Sequence, residues 1–294
     1  MNDFNSRASG DGFIYPVVDG GGFSTLRHRW IFERLKVLDP SPLEEALDQI
    51  TKAPVGVLSS EAFHELADPA LDLLVSRCGE AARETIAVVF LRRQDEYVNS
   101  FANQAWKAHR LSFAQAESHV QNLMQGPPTL FYDVLLDRLA TRFNQVCPLI
   151  YEKGKSTVGQ FSSVTGLRLP EAPPGKPDPN QAANAVQLAT LKEVKRLAGE
   201  DPRLFDIINA TREALAAPQP QQSMATSDNA PASMLNPERA RSIMELYQQS
   251  NERLHARWFP DREQLFPAAQ FAKPVENVKA RADVVQQVRV KFKL

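Results

Sequence analysis

The stretch that decides the fold is IAVVFLRRQDEYVNSFANQ, Ile86–Gln104. Its first six residues, Ile86–Leu91, are apolar and mostly β-branched or aromatic, a short run suited to a buried parallel strand. Arg92 and Arg93 close that run. A helix follows in which Tyr97, Phe101 and Ala105 recur at i, i+4 and i+8, the spacing of one buried face. Two further segments have the same strand character: Val55–Leu58 (VGVL) and Val146–Tyr151 (VCPLIY). The second carries Pro148, which cannot donate to a sheet ladder. Helical stretches over 61–78, 95–108, 112–124 and 129–143 separate the strands. Strands alternating with helices predict an α/β fold with a parallel sheet, whose ligands gather at the carboxyl ends of the strands.

The texture changes at Pro170. Residues 170–179 (PEAPPGKPDP) are proline-rich and read as a stiff connector. Residues 1–170 are therefore expected to form the α/β core, and 171–294 a helical C-terminal extension packed on the same domain. Within the extension, Asn180 is the expected N-cap of a helix with Leu188, Leu191, Val194 and Ala198 on its face and Gly199 as its stop. Residues 216–235 (AAPQPQQSMATSDNAPASML) have too few large apolar groups to offset chain entropy and are expected to be a disordered loop. Asn236–Pro237 opens another helix, with Ile243, Tyr247, Leu254 and Trp258 along its stripe up to Pro260. The terminal VRVKFKL alternates apolar and basic residues, which predicts an edge strand guarded by lysines. The alternative is a basic tail touching a membrane surface or an acidic partner.

Composition sets the outer bounds. The 294 residues carry 34 Lys and Arg against 35 Asp and Glu, a net charge of −1, which argues against a general nucleic-acid binder. With 43% hydrophobic and 23% charged residues, the chain has ample material for a core. It contains no run of about 18 apolar residues, so no transmembrane segment is expected. The start, MNDFNSRASGDG, lacks an apolar h-region, so no secretory signal is expected either. Cys78 and Cys147 stand without CxxC spacing, which predicts neither a disulfide framework nor a zinc site and makes a cytoplasmic location the default. The five histidines show no HxxxH or HxH spacing, and no metal centre is expected.

Two constellations could carry chemistry. Arg92 leaves the strand end and Ser100 follows eight residues later, about 7–8 Å along the helix if it starts near Asp95. Both side chains could converge on a small anion, the guanidinium fork and the hydroxyl each donating to it. Alternatively, Arg92 and Arg93 pair with the local acids Asp95 and Glu96. The second constellation is VGVLSSE, in which Ser59, Ser60 and Glu61 leave a strand together. Glu61 could act as a general base if partial burial raises its pKa. The alternative is helix initiation, with a serine as cap and Glu61 in the first turn. The glycine loop in DGGGFST lacks GxxxxGK[ST] and any lysine before Ser24 and Thr25, so it is a poor phosphate cradle. His109, His119, Trp106 and Trp258 read as structural residues.

Taken together, these segments resemble bacterial members of the sulfotransferase family, which use 3′-phosphoadenosine-5′-phosphosulfate (PAPS) as sulfuryl donor. FLRRQDEYVNSFANQ resembles the family's 3′-phosphate-binding segment, with the same spacing of eight between Arg92 and Ser100. VLSSEAF is similar to the strand end that supplies the catalytic base. LIYEKGKSTVGQFSSVTGL resembles the later strand, loop and helix, and ARSIMELYQQSNERLHARWFPDREQLF the C-terminal helix of the polysaccharide- and lipopolysaccharide-type branch. The resemblance covers roughly residues 10–265. It implies a three-layer sandwich around a parallel sheet, the P-loop NTPase-like sulfotransferase fold, with PAPS as co-substrate and no metal. Arg92 and Ser100 would bind the donor's 3′-phosphate, Ser59 and Ser60 would lie near the sulfuryl group or the acceptor, and Glu61 would take a proton from a hydroxyl of a carbohydrate or glycolipid acceptor. The chain departs from the family in one respect. The lysine-bearing 5′-phosphosulfate loop and its strand have no counterpart, and GFIYP resembles the stretch after the family's first helix. An inactive relative that binds nucleotide or glycan, or acts as a scaffold, is therefore the alternative.

Overall fold

The computed structural model describes residues 12–18, 28–108, 111–152, 154–169, 184–216, 233–267 and 278–294. They form an α/β protein in two compact units that interleave along the chain. The first is drawn from Met1–Leu91, Phe131–Lys176 and Arg253–Leu265, the second from Arg92–Leu130, Pro177–Glu252 and Phe266–Leu294. Neither unit corresponds to a single stretch such as 1–170 or 171–294.

The first unit contains every described strand. Strand β1 (Phe13–Ile14) pairs in parallel with β2 (Val55–Gly56), Phe13 opposite Val55. Helices α1 (Arg29–Leu35) and α2 (Ser41–Ile50) lie between them in sequence, and α3 (Asp68–Ala81) follows. The apolar faces of these helices supply the core: Ile31, Phe32, Leu35, Leu43, Ala46, Leu71 and Leu74 are all buried. Strands β3 (Ile86–Leu91) and β4 (Gln145–Ile150) form a second parallel pair. So the parallel strands expected from the sequence are present, but as two two-stranded sheets.

They are also less buried than their composition suggests. Val55 is 39% exposed and Ile86 44%, and only Leu91 and Ile150 of β3 and β4 are fully enclosed. A strand with one neighbour keeps an open edge. Gln145 donates to Thr85 O and Tyr151 to Leu91 O, so the odd-numbered residues of β4 turn their N–H groups towards β3. That alternation places Pro148 where its missing N–H faces away from the ladder. It also directs the polar groups of Ile86, Val88 and Phe90 to the side of β3 away from β4, where they meet no backbone partner among the described residues.

In the second unit, α4 (Gln94–Lys107) and α5 (Phe113–Met124) come first, while α6 (Tyr132–Ala140) and α7 (Thr157–Thr165) belong to the first unit. Ser112 caps α5 through a reciprocal capping box with Gln115. The buried face of α4 is Val98, Ala102, Ala105 and Trp106. Tyr97 and Phe101, expected in that face, are half-buried instead and stack on each other at 5.1 Å. Helix α8 (Ala185–Ala198) buries Leu188, Leu191, Val194 and Ala198 as expected, and Gly199 ends it with a positive φ. Its cap is Asn184, whose side chain bonds Gln187 N; Asn180 lies outside the described residues.

Helices α9 (Leu204–Ala216), α10 (Pro237–Leu246) and α11 (Gln248–Trp258) complete this stretch, α11 passing from the second unit into the first. Asn236 caps α10 as expected, but the helix breaks at Tyr247, whose buried ring separates α10 from α11. Of the loop expected over 216–235, Ala216 ends α9 and Ser233 and Leu235 are buried, while 217–232 lie outside the described residues. The connector 170–179 lies outside them too. The largest departure is at the C-terminus, where VRVKFKL forms part of helix α12 (Ala282–Phe292), not an edge strand. Val284 and Val288, four residues apart, are buried against Leu191, Val194, Leu204, Ile207 and Ile208 of α8 and α9. That helical pair outweighs the local alternation of period two.

Candidate functional site

The first candidate site is built where β3 ends and α4 begins. Asp95 and Glu96 occupy the first turn of α4, where the helix dipole favours negative charge. The Asp95 carboxylate is nearly enclosed. It accepts the Glu96 N–H at 2.9 Å and the Arg93 Nε at 2.8 Å, while the Arg93 guanidinium also reaches the carbonyl of Pro267 at 3.4 Å. Arg93 is thus a strut that fixes the helix start. Arg92 pairs with the second acid. Its Nε lies 3.5 Å from Glu96 Oε2, with both side chains about one-third exposed. The pairing of both arginines with the neighbouring acids is therefore formed. Glu96 and Ser100 are four residues apart on α4 and share a face, and Arg92, which precedes the helix, meets that face at Glu96. Ser100 is half-buried there.

α4 is held firmly by its own unit. Gln94 is fully buried and exchanges amide hydrogen bonds with Asn251 at 2.8 and 3.2 Å. Asn99 Oδ1 accepts the Met234 N–H at 2.6 Å. At the far end of the helix, the buried Lys195 Nζ donates to the carbonyls of Ala108, at 2.7 Å, and Leu111, at 2.5 Å. Burial lowers the pKa of this lysine to about 8. The site residues on α4 therefore sit on a rigid element.

The second candidate site lies in the first unit, after β2. Ser59 donates its N–H to His28 Nδ1 at 2.8 Å, which leaves the imidazole proton on Nε2, 2.8 Å from the carbonyl of Pro16. His28 is buried, stacked on Tyr15 at 4.4 Å and held in the left-handed region at φ 35°. Burial lowers its pKa, against the opposing effect of these hydrogen bonds, so the ring is neutral at pH 7. It ties the exit of β1 to the exit of β2. Ser60 Oγ accepts the Ala62 N–H at 3.3 Å, a local turn that starts the next segment. Glu61 is exposed, followed by a 3₁₀ turn over Phe63–Glu65. No single helix spans 61–78, because Pro69 opens α3 afresh in its first turn. Burial also lowers the pKa of His64, with Glu65 at 3.9 Å opposing the shift.

Ser59, Ser60 and Glu61 thus belong to one turn of the first unit, and Arg92 and Ser100 to one helix start of the second. Gly20–Thr25 and His109 lie outside the described residues. His119 packs beside Phe101 at 5.9 Å, and Trp106 is core, tilted against Phe113 at 5.3 Å. Sequence reasoning missed His28 and Lys195, whose partners are backbone groups with no sequence signature. The proximity of Glu96 to Arg92 was readable from their spacing alone. Among the described residues, no group of three or more His, Cys, Asp or Glu is placed to hold a metal ion, and no helix is long and apolar enough to cross a membrane.

The second unit also holds a half-open pocket of about 760 Å³ against α5, α8 and α10. Its apolar surface includes Phe113, Met124, Met234 and Leu246, and Lys192, Glu117 and Arg239 lie along its rim. The size falls in the range of small-molecule sites. Comparison with known protein families, curated proteins and solved structures finds no match to this chain. The class defined by the fold is therefore that of an α/β protein with parallel strand pairs.

Proposed function

We propose that this protein is sulfotransferase-like and transfers a sulfuryl group from PAPS to a carbohydrate hydroxyl. The observation that carries the reading is the helix start after β3. A guanidinium leaves the carboxyl end of a parallel strand, and a serine hydroxyl follows in the second turn of α4. In this reading Arg92 and Ser100 bind the donor's 3′-phosphate, and Glu61, exposed and so accessible to an acceptor, is the base. Ser59 and Ser60 line the sulfuryl or acceptor side. Transfer in line depends on positioning and on stabilising the leaving phosphate oxygen. Among the described residues β2 and β3 each pair along one edge only, and a three-layer P-loop-like sandwich would join such strands in one larger parallel sheet.

The test is thermal unfolding with and without 3′,5′-adenosine bisphosphate (PAP, the spent donor), run beside Arg92→Ala. At a hundredfold excess over the dissociation constant, linkage predicts about 2.7 kcal/mol of stabilisation. A rise of several degrees in wild type that is lost in Arg92→Ala supports the reading. No rise in wild type refutes it. The second reading is a catalytically inactive relative that binds nucleotide or glycan, or serves as a scaffold. The contact of Arg92 with Glu96, which occupies the cation, favours it. A PAP-dependent shift without sulfuryl transfer to any of a panel of sugars would select it.

A further inference from the structure

Glu96 stands between the two groups that the proposed function assigns to the 3′-phosphate. Its carboxylate meets Arg92 Nε at 3.5 Å, and Ser100 lies one turn further along the same face. The other first-turn acid is differently placed. Asp95 is 3% exposed and engaged with Arg93 and with the helix backbone, so it has no freedom to leave. Glu96 is 32% exposed, and its contact with Arg92 is at the long end of an ion pair. Such a partly solvated pair is weak and readily exchanged.

We propose that Glu96 is a displaceable counter-anion of Arg92, which swings aside as a phosphate takes its place and so sets the affinity and selectivity of the site. The inference rests on the reading of Arg92 and Ser100 as the 3′-phosphate site. A phosphate dianion approaching Arg92 meets a carboxylate that both occupies the cation and repels the newcomer. A ligand lacking the 3′-phosphate does not enter this competition. Glu96 is thus a positioning residue, acting on the ligand through Arg92. It disfavours weak or singly charged anions, and only a ligand held elsewhere by its nucleoside displaces it.

The experiment is a calorimetric titration of the full chain with PAP and, separately, with adenosine 5′-monophosphate, which lacks the 3′-phosphate. Wild type is compared with Glu96→Gln, Arg92→Ala and the double variant. Glu96→Gln should tighten PAP about fivefold, the scale of one partly exposed charge pair. It should leave the monophosphate within twofold, and the gain should vanish in the Arg92→Ala background. Unchanged or weaker PAP binding by Glu96→Gln, with binding still lost in Arg92→Ala, overturns the role of Glu96 and leaves the phosphate site standing. Equal tightening of both nucleotides also overturns it, since that marks a general charge effect. Equal PAP affinity in wild type and Arg92→Ala removes the phosphate site and this inference together.

Discussion

Lys195 offers the most direct test of the packing that holds α4. Its side chain is fully buried, its Nζ donates to the carbonyls of Ala108 and Leu111, and burial brings its pKa from 10.5 to about 8. A base whose folded pKa is depressed binds fewer protons folded than unfolded between those two values. Stability should therefore rise with pH from about 8 to 10.5, and below pH 8 the full cost of burying the ammonium remains. The lowering from 10.5 to about 8 corresponds to about 3 kcal/mol. Two other buried groups act in the opposite sense. Burial raises the Cys78 thiol to about 11 and the Tyr247 phenol to about 12, so their contributions fall as pH rises beyond the ordinary thiol and phenol values. Comparing wild type with Lys195→Met cancels both. The assay is urea unfolding of the two proteins at intervals from pH 7.5 to 10.5. Wild type should gain about 2–3 kcal/mol relative to the variant across that range. A stability difference that stays constant with pH would refute the assignment of the depressed pKa to Lys195.

Two further predictions concern the turn after β2. Glu61→Gln should abolish sulfuryl transfer while leaving PAP affinity within twofold of wild type, measured by coupled turnover and calorimetry; a fully active variant ends its role as base. His28→Asn keeps a residue that tolerates the left-handed backbone but cannot span from Pro16 O to Ser59 N. It should cost about 1–3 kcal/mol, chiefly by leaving the buried Pro16 carbonyl without its donor. An unfolding midpoint equal to that of wild type would show that the imidazole is not the tie between these segments.

The strand–turn–helix reading of Ile86–Gln104 was legible because it depends on neighbours in sequence. A short apolar run makes β3, acids near the helix start favour α4, and i, i+4 spacing predicts that Glu96 can reach Arg92. The cap at Asn236 is local in the same way. The buried face of α4 was not legible in full. Tyr97 and Phe101 are large aromatics, yet the positions that meet α5 and α8 are Ala102, Ala105 and Trp106: the two alanines let the helices approach and the indole fills the space beside them.

What the sequence determined by itself is the α/β alternation, the parallel direction of the strands, the Asn236 cap and the Gly199 stop, and the identities of the candidate site residues. These follow from local propensity and hydrogen bonding over a few residues. The tertiary structure alone decided that the strands form two separate pairs, that VRVKFKL is helical, and that His28 and Lys195 tie distant backbone segments. Each of those outcomes rests on partners 30 or more residues away, Pro16 excepted. A pairing energy between distant groups leaves no pattern in the stretch that carries it. For VRVKFKL, burial of Val284 and Val288 on α8 and α9 reversed the local preference.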